Sequence, residues 1–167
     1  MPAKKPMPEP PNPKIKSLKP AIAQREAWRE QGMAVSFTNG CFDLLHAGHV
    51  ATIAFARAQA DKLILGLSSD ISVALNKGVK RPIMPERDRA AILAAFESVD
   101  LVVLYDEKEV APVIEALVPD VLVKGGDTGN VVGREVVEQA GGKVVLAPEI
   151  PFLSTSDVIE RILERYR

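Results

Sequence analysis

The chain has 167 residues, 47% hydrophobic and 26% charged, with a formal net charge of −1, which allows one substantial core and leaves little room for two ordinary domains. The balanced charge gives no reason to expect a nucleic-acid partner, no apolar run approaches the roughly 20 residues that cross a bilayer, and the N-terminus lacks the apolar core of a secretory signal. The lone cysteine, Cys41, cannot form an intramolecular disulfide, which fits a soluble, cytoplasmic protein.

Residues 1–20, MPAKKPMPEPPNPKIKSLKP, carry seven prolines and five lysines against one glutamate. With so little to bury, they are expected to form a disordered arm, either a solvated tail or a tether to an anionic surface. Residues 21–167 are expected to form a single domain. It opens with a short helix from Ala21 to Gln31, stopped by Gly32, that packs Trp28 on the body. Five short apolar runs follow: MAVSF, KLILGL, LVVL, VLV and KVVLA. They are too brief for helices and too continuous for strands with one wet face, so they read as buried parallel strands. Helices are predicted between them, at Gly48 to Ala60, Pro85 to Phe96, Val110 to Leu117 and Arg134 to Ala140. A last helix, in STSDVIERILERYR, sets Val158, Ile159, Ile162 and Leu163 on one face. Alternating strands and helices imply a five-stranded, mainly parallel sheet covered on both faces, a three-layer α/β/α sandwich of Rossmann-like type. Ligands of such sheets bind beyond the carboxyl ends of the strands, at the switch in strand order.

The stretch FTNGCFDLLHAGHV lies just past the first of these runs and holds both histidines of the chain, His46 and His49. Their i, i+3 spacing lets both project from the first turn of a helix, where uncovered N–H groups attract phosphate, and Gly48 lets a large ligand approach the main chain. Two exposed histidines at a helix start, or a metal pair, are the alternatives; a metal pair lacks the further Cys, His or carboxylate ligands of a tetrahedral set. Ser154, Thr155 and Ser156 precede the last helix, so one of them should be its N-cap. The two glycines of VKGGD suit close passage of a flat base over the main chain. Asp127 is read either as a turn residue or as an acceptor for ribose or base, and Lys124 as a phosphate contact. Lys77, Lys80, Arg81, Arg87 and Arg89 concentrate in LNKGVKRPIMPERDR, as a solvated loop or an anion site.

These motifs together resemble the H-x-G-H nucleotidyltransferase superfamily. RPIMPERDRAAILAAFESVDLVV, PDVLVKGGD and STSDVIERI fall in the order and at the spacing of the heptose 1-phosphate adenylyltransferases, which occur alone or fused to a sugar kinase; the resemblance covers about residues 33 to 165. It implies that the phosphate of an acceptor attacks the α-phosphorus of ATP, as its Mg²⁺ complex, with no covalent enzyme intermediate. His46 and His49 would donate to phosphoryl oxygens, and Thr38, Asn39, Gly40, Cys41 and Phe42 would surround the α-phosphate. Gly125, Gly126 and Asp127 would face the nucleoside and Lys124 a phosphate, while Ser154, Thr155 and Ser156 would accept the β- and γ-phosphates. Asp43, Lys77, Arg81 and Arg89 would stand near the triphosphate or the sugar phosphate, Asp43 by orienting a neighbouring donor, by helping to hold Mg²⁺ or only as a turn residue. No residue is assigned to a resident metal. The pattern departs at Arg87, where similar sequences have an acidic residue.

ATP and a heptose 1-phosphate are thus the expected small-molecule substrates, made available by a separate heptose kinase, with a homodimer as a further expectation. Two other readings stay open. A cytidylyltransferase acting on a polyol phosphate shares the fold, but FLSTSDVI lacks the basic run ending in Gly-Ile-Ser-Thr that such enzymes carry. A nucleotide-binding module without turnover could dispense with the histidines.

Overall fold

The computed structural model describes residues 12–106, 110–125, 130–148 and 154–166. In chain order these form β1 (Ile15–Lys16), α1 (Leu18–Glu30), β2 (Val35–Gly40), α2 (Ala47–Arg57), β3 (Lys62–Ser68), α3 (Asp70–Lys77), α4 (Glu86–Ala94), β4 (Leu101–Tyr105), α5 (Ala111–Leu117), β5 (Val121–Gly125), α6 (Arg134–Gln139), β6 (Lys143–Ala147) and α7 (Thr155–Tyr166). All five apolar runs are strands, paired in parallel in the order β1-β4-β3-β2-β5-β6. The chain winds outward from β2 through β3 to β4, then crosses back through α5 to lay β5 on the other side of β2. The switch in strand order therefore falls between β2 and β5, and the crevice beyond their carboxyl ends is where such a sheet takes a ligand.

Among the described residues the sheet has six strands, not the expected five. The additional one, β1, lies within the segment expected to be a disordered arm. Ile15 and Lys16 pair with Val102 and Val103, the Val102 N–H donates to Lys14 O at 2.8 Å, and Lys14 Nζ reaches Phe96 O at 3.0 Å. A two-residue edge strand needs only the open backbone of β4 and tolerates flanking prolines and lysines, so composition does not reveal it. Pro20 falls in the first turn of α1, where it removes no helical hydrogen bond. The expectation of disorder is thus corrected for residues 12–20; residues 1–11 lie outside the described residues.

Two cores cover the two faces of the sheet. On one, Ala21 and Trp28 of α1, Val113, Ile114 and Leu117 of α5 and Val137 of α6 pack on Val35, Phe37, Ile64, Val103 and Leu122. On the other, Ile53 and Ala56 of α2 and Ala90, Leu93 and Ala94 of α4 pack on Leu63, Leu65, Leu67, Val102 and Val123. Alternate residues of each strand serve opposite cores, which is why the runs are continuously apolar. Phe37 lies so close over Gly66 that a Cβ there would come within 2.6 Å of its ring. At the other end of the sheet, the buried Arg25 ties α1 to the start of β5 by donating to Asp120 Oδ2 at 2.9 Å and to Val118 O at 3.1 Å.

The helix α3 had no counterpart among the predicted elements. Ser69 caps it by accepting the Ser72 N–H at 3.2 Å, and Gly78 ends it at φ 90°. Its apolar residues mislead because Ile71 and Leu75 are 63% and 60% exposed, whereas Ser72 is buried beside Val73. Among the described residues no helix is long and apolar enough to cross a membrane.

Candidate active site

The six residues after β2 bring its carboxyl end to the start of α2. Phe42 makes the turn with φ 46°, a left-handed conformation unusual for a bulky residue, and its buried ring closes over Gly40, where a Cβ would lie 3.1 Å away. His46 stands at the N-cap of α2 and His49 one turn on. The imidazoles stack, with centroids 3.9 Å apart and planes 27° apart, and His49 also meets the Phe42 ring at 5.2 Å. The His46 N–H points at His49 Nδ1 over 3.4 Å, so in neutral His49 the proton resides on Nε2, on the far side of the ring. Burial, together with the neighbouring His46, lowers the pKa of His49 to about 4. Burial also lowers that of His46, against the opposing pull of Asp157. Both rings are therefore neutral near pH 7 in the free protein, and each has one N–H to donate.

Asp157 approaches from α7. Its carboxylate accepts the Ser154 N–H at 2.8 Å and the Ser154 hydroxyl at 2.7 Å, while its own N–H donates back to Ser154 Oγ at 3.2 Å. Ser154 is thus the N-cap and Asp157 its reciprocal partner. This fulfils the capping expectation and occupies the Ser154 hydroxyl; Thr155 and Ser156 form the first turn behind it.

Across the switch point, Lys124 and Gly125 end β5. A Cβ on Gly125 would make only ordinary contact with Thr52 of α2, at 3.7 Å, so β5 ends beside the helix that carries the histidines. Lys124 Nζ donates to Asn39 Oδ1 at 3.1 Å. Thr38 is buried within β2, and Gly48 accepts the Thr52 hydroxyl at 3.1 Å. Gly126 and Asp127 lie outside the described residues.

The basic cluster divides. Arg89 does not reach the site's open side: it is 1% exposed, and its guanidinium donates to Met84 O at 2.9 Å, Ser68 O at 2.8 Å, Cys41 O and Asp70 Oδ1 at 2.7 Å. Every nitrogen is used, so the expectation that Arg89 stands against a substrate phosphate is corrected. It ties the loops after β2 and β3 to the starts of α3 and α4. Asp43 is likewise 1% exposed and saturated, by Arg81 Nε at 2.6 Å, by the Ile83 N–H at 2.9 Å to both oxygens and by the Met84 N–H at 2.8 Å. Those donors hold its pKa below the usual carboxylate value despite burial, which acts the other way and is the largest single influence. Of its three expected roles, orienting a neighbouring donor is the one this geometry performs: three N–H groups converge on a carboxylate that is almost wholly buried, and its negative charge disfavours a phosphate contact. Arg81, held by its Nε, has no bond from its two terminal nitrogens to a described residue. Lys77 and Lys80 are exposed at and after the end of α3, and Arg87 is a surface residue paired with Asp88. Among the described residues no three His, Cys, Asp or Glu side chains converge as a metal site.

The paired imidazoles thus stand at a helix start, beyond β2 and at the switch of a parallel sheet, where such sheets take ligands. The cytidylyltransferase-like family model matches residues 37–161, and the chain belongs to that family. The curated relatives narrow the comparison. The chain is 51% identical over 138 residues to the bifunctional protein HldE of Mesorhizobium japonicum, covering 81% of this chain and 28% of the relative. It is 49% identical over 155 residues to the bifunctional protein HldE of Pelobacter propionicus, covering 92% of this chain and 32% of the relative. It thus spans less than a third of these relatives. Among solved structures, the lipopolysaccharide core biosynthesis protein from Thermoplasma volcanium superposes with a TM-score of 0.62 at 27% identity, over 71% of this chain and 99% of that one. A pantoate-beta-alanine ligase from Francisella tularensis, at 16% identity and a TM-score of 0.59, shares the fold over 90% of this chain and 78% of its own.

Proposed function

We propose that the chain transfers AMP from ATP to D-glycero-β-D-manno-heptose 1-phosphate, giving ADP-heptose and pyrophosphate. The observation that carries this is the stacked pair His46 and His49 at the start of α2, on a Rossmann-like scaffold whose curated relatives, about half identical, are named HldE. An oxygen of the acceptor phosphate attacks the α-phosphorus in line, the bond to the bridging oxygen of the β-phosphate breaks, and pyrophosphate leaves. A phosphate nucleophile is already ionised, so no base is needed. The protein's work is to align the two phosphates and to meet the charge that builds on the transferring group. His49 Nε2–H and a ring N–H of His46 supply donors there, and nearby polyphosphate favours their protonated forms, which donate more strongly. The backbone from Thr38 to Phe42, Lys124, and the first turn of α7 at Thr155 and Ser156 complete the nucleotide side. Arg81 and Lys77 serve the acceptor. Magnesium supplies charge neutralisation as the ATP complex. Asp43 and Asp157, the site's described carboxylates, are engaged by Arg81 and Ser154, so no protein ligand is assigned to the ion. The relatives' name, bifunctional, favours a second activity in the same polypeptide over a separate kinase.

The test is pyrophosphate release from each of the four nucleoside triphosphates against heptose 1-phosphate and a panel of polyol phosphates. ATP with heptose 1-phosphate should give the highest kcat/KM. His46→Ala and His49→Ala should each lower kcat by on the order of 10²–10³ with a smaller change in ATP affinity. A better rate with CTP and a polyol phosphate, or an unchanged kcat in the folded double variant, would refute the proposal.

A further inference from the structure

The carboxyl ends of four strands are joined by side chains of which the proposed mechanism uses only that of Lys124. Lys124 of β5 donates from Nζ to Asn39 Oδ1 of β2 at 3.1 Å. Asn39 Nδ2 donates to Tyr105 Oη of β4 at 3.3 Å, and Tyr105 Oη lies 2.7 Å from Ser68 Oγ of β3 in a buried contact. The ammonium sets the polarity of the chain as far as the phenol oxygen. An ammonium has only donors, so the Asn39 amide must turn its oxygen to Lys124 and its NH₂ to Tyr105. The phenol oxygen accepts from the amide, and between the phenol and the Ser68 hydroxyl either group can donate. Flipping the amide would set NH₂ against NH₃⁺, so the lysine end of the chain holds the amide in one orientation. The Tyr105 ring is packed in the core between α1 and α5, which fixes the phenol and through it the amide.

Among the described residues, Asn39 Oδ1 is the one hydrogen-bond acceptor that Lys124 Nζ meets, leaving two of its three N–H donors without a protein partner. A half-buried cation so placed is unfavourable until an anion arrives. Desolvation by burial accordingly lowers its pKa, opposed by Cys41. The neighbouring Cys41 belongs to the loop that leads to the paired imidazoles.

We infer that Ser68, Tyr105 and Asn39 form a rigid relay that aims the Lys124 ammonium at a phosphoryl oxygen in the crevice between β2 and β5, which makes Asn39 and Tyr105 positioning residues. The inference rests on the adenylyl-transfer reading above. The oxygen belongs either to ATP or to the sugar phosphate, and the kinetics separate the two.

The experiment is a double-mutant cycle on pyrophosphate release, with KM measured separately for ATP and for heptose 1-phosphate. Tyr105→Phe removes the hydroxyl and keeps the ring. It should raise one of the two KM values about three- to ten-fold, the size of one hydrogen bond, and the substrate affected owns the oxygen. In a Lys124→Met background the same change should have almost no effect, because its only route to substrate is gone. Asn39→Ala should show the same dependence on Lys124, and it provides a second cycle should Tyr105→Phe unfold. Equal effects of Tyr105→Phe or Asn39→Ala with and without Lys124 would mean a structural contribution and overturn the relay while leaving adenylyl transfer intact. A folded wild-type protein that turns over no nucleotide would overturn the functional reading and the relay with it.

Discussion

Replacing His49 with glutamine should flatten the acid limb of this protein's stability. Glutamine keeps an oxygen able to accept the His46 N–H but does not titrate. In the folded chain His49 protonates at about 4, against an ordinary 6.5, because its ring is buried against Phe42 and stacked on His46. Below pH 6.5 the unfolded chain takes up a proton that the folded chain refuses, so stability present above that pH is lost as pH falls toward 4. A gap of about 2.5 pH units at 1.36 kcal/mol each sets an upper limit of about 3 kcal/mol near pH 4, which solvent at the partly exposed ring reduces. The value for His46 is also lowered, so a shallower slope should persist in the variant. Asp43 and Asp157 also have lowered values, from an ordinary 3.8; the stability they contribute is lost mainly below this window. Urea unfolding followed by the fluorescence of Trp28, the single tryptophan and buried in the core, measures the difference at pH 7, 5.5 and 4. Parallel curves for wild type and His49→Gln between pH 6.5 and 4 would refute the account of a desolvated imidazole.

Two further outcomes follow from the packing. Arg89→Met should lower stability by about 3 kcal/mol, since three carbonyls and the Asp70 carboxylate lose their donor; an unchanged Tm would show that water replaces the guanidinium. A chain beginning at residue 17 should melt several degrees below one beginning at residue 12, because it lacks the strand that covers the edge of β4, and equal melting temperatures would show β1 to be dispensable.

The legible part of the fold was the part buried on both sides. KLILGL and LVVL announce themselves because alternate residues enter opposite cores, and the helices between the strands follow from the spacing. What stayed hidden depends on partners distant in the chain. Ile15 and Lys16 become a strand only because β4 has an open edge, and α3 turns its isoleucine and leucine to solvent. That His46 and His49 share the first turn of a helix was legible from their spacing. Arg89 was not, since a charged residue next to other charges reads as surface until carbonyls from residues 41, 68 and 84 are known to meet around it. Ser68 and Tyr105 did leave a trace: each is a polar residue closing an otherwise apolar strand, at the end of the sheet where ligands bind.

The Asp43 carboxylate gives the two halves of the crevice a common mechanical frame. It sits three residues before His46 and grips Arg81, Ile83 and Met84 on the opposite loop, so a shift of either loop drags the other. Any occupant that draws Arg81 inward therefore also moves the backbone that leads to the imidazoles. If the chain transfers AMP as proposed, linkage requires that whatever free energy the acceptor adds to nucleotide affinity, the nucleotide returns in equal measure to the acceptor. A carboxylate that touches neither substrate would thus set how strongly each is felt at the other's place.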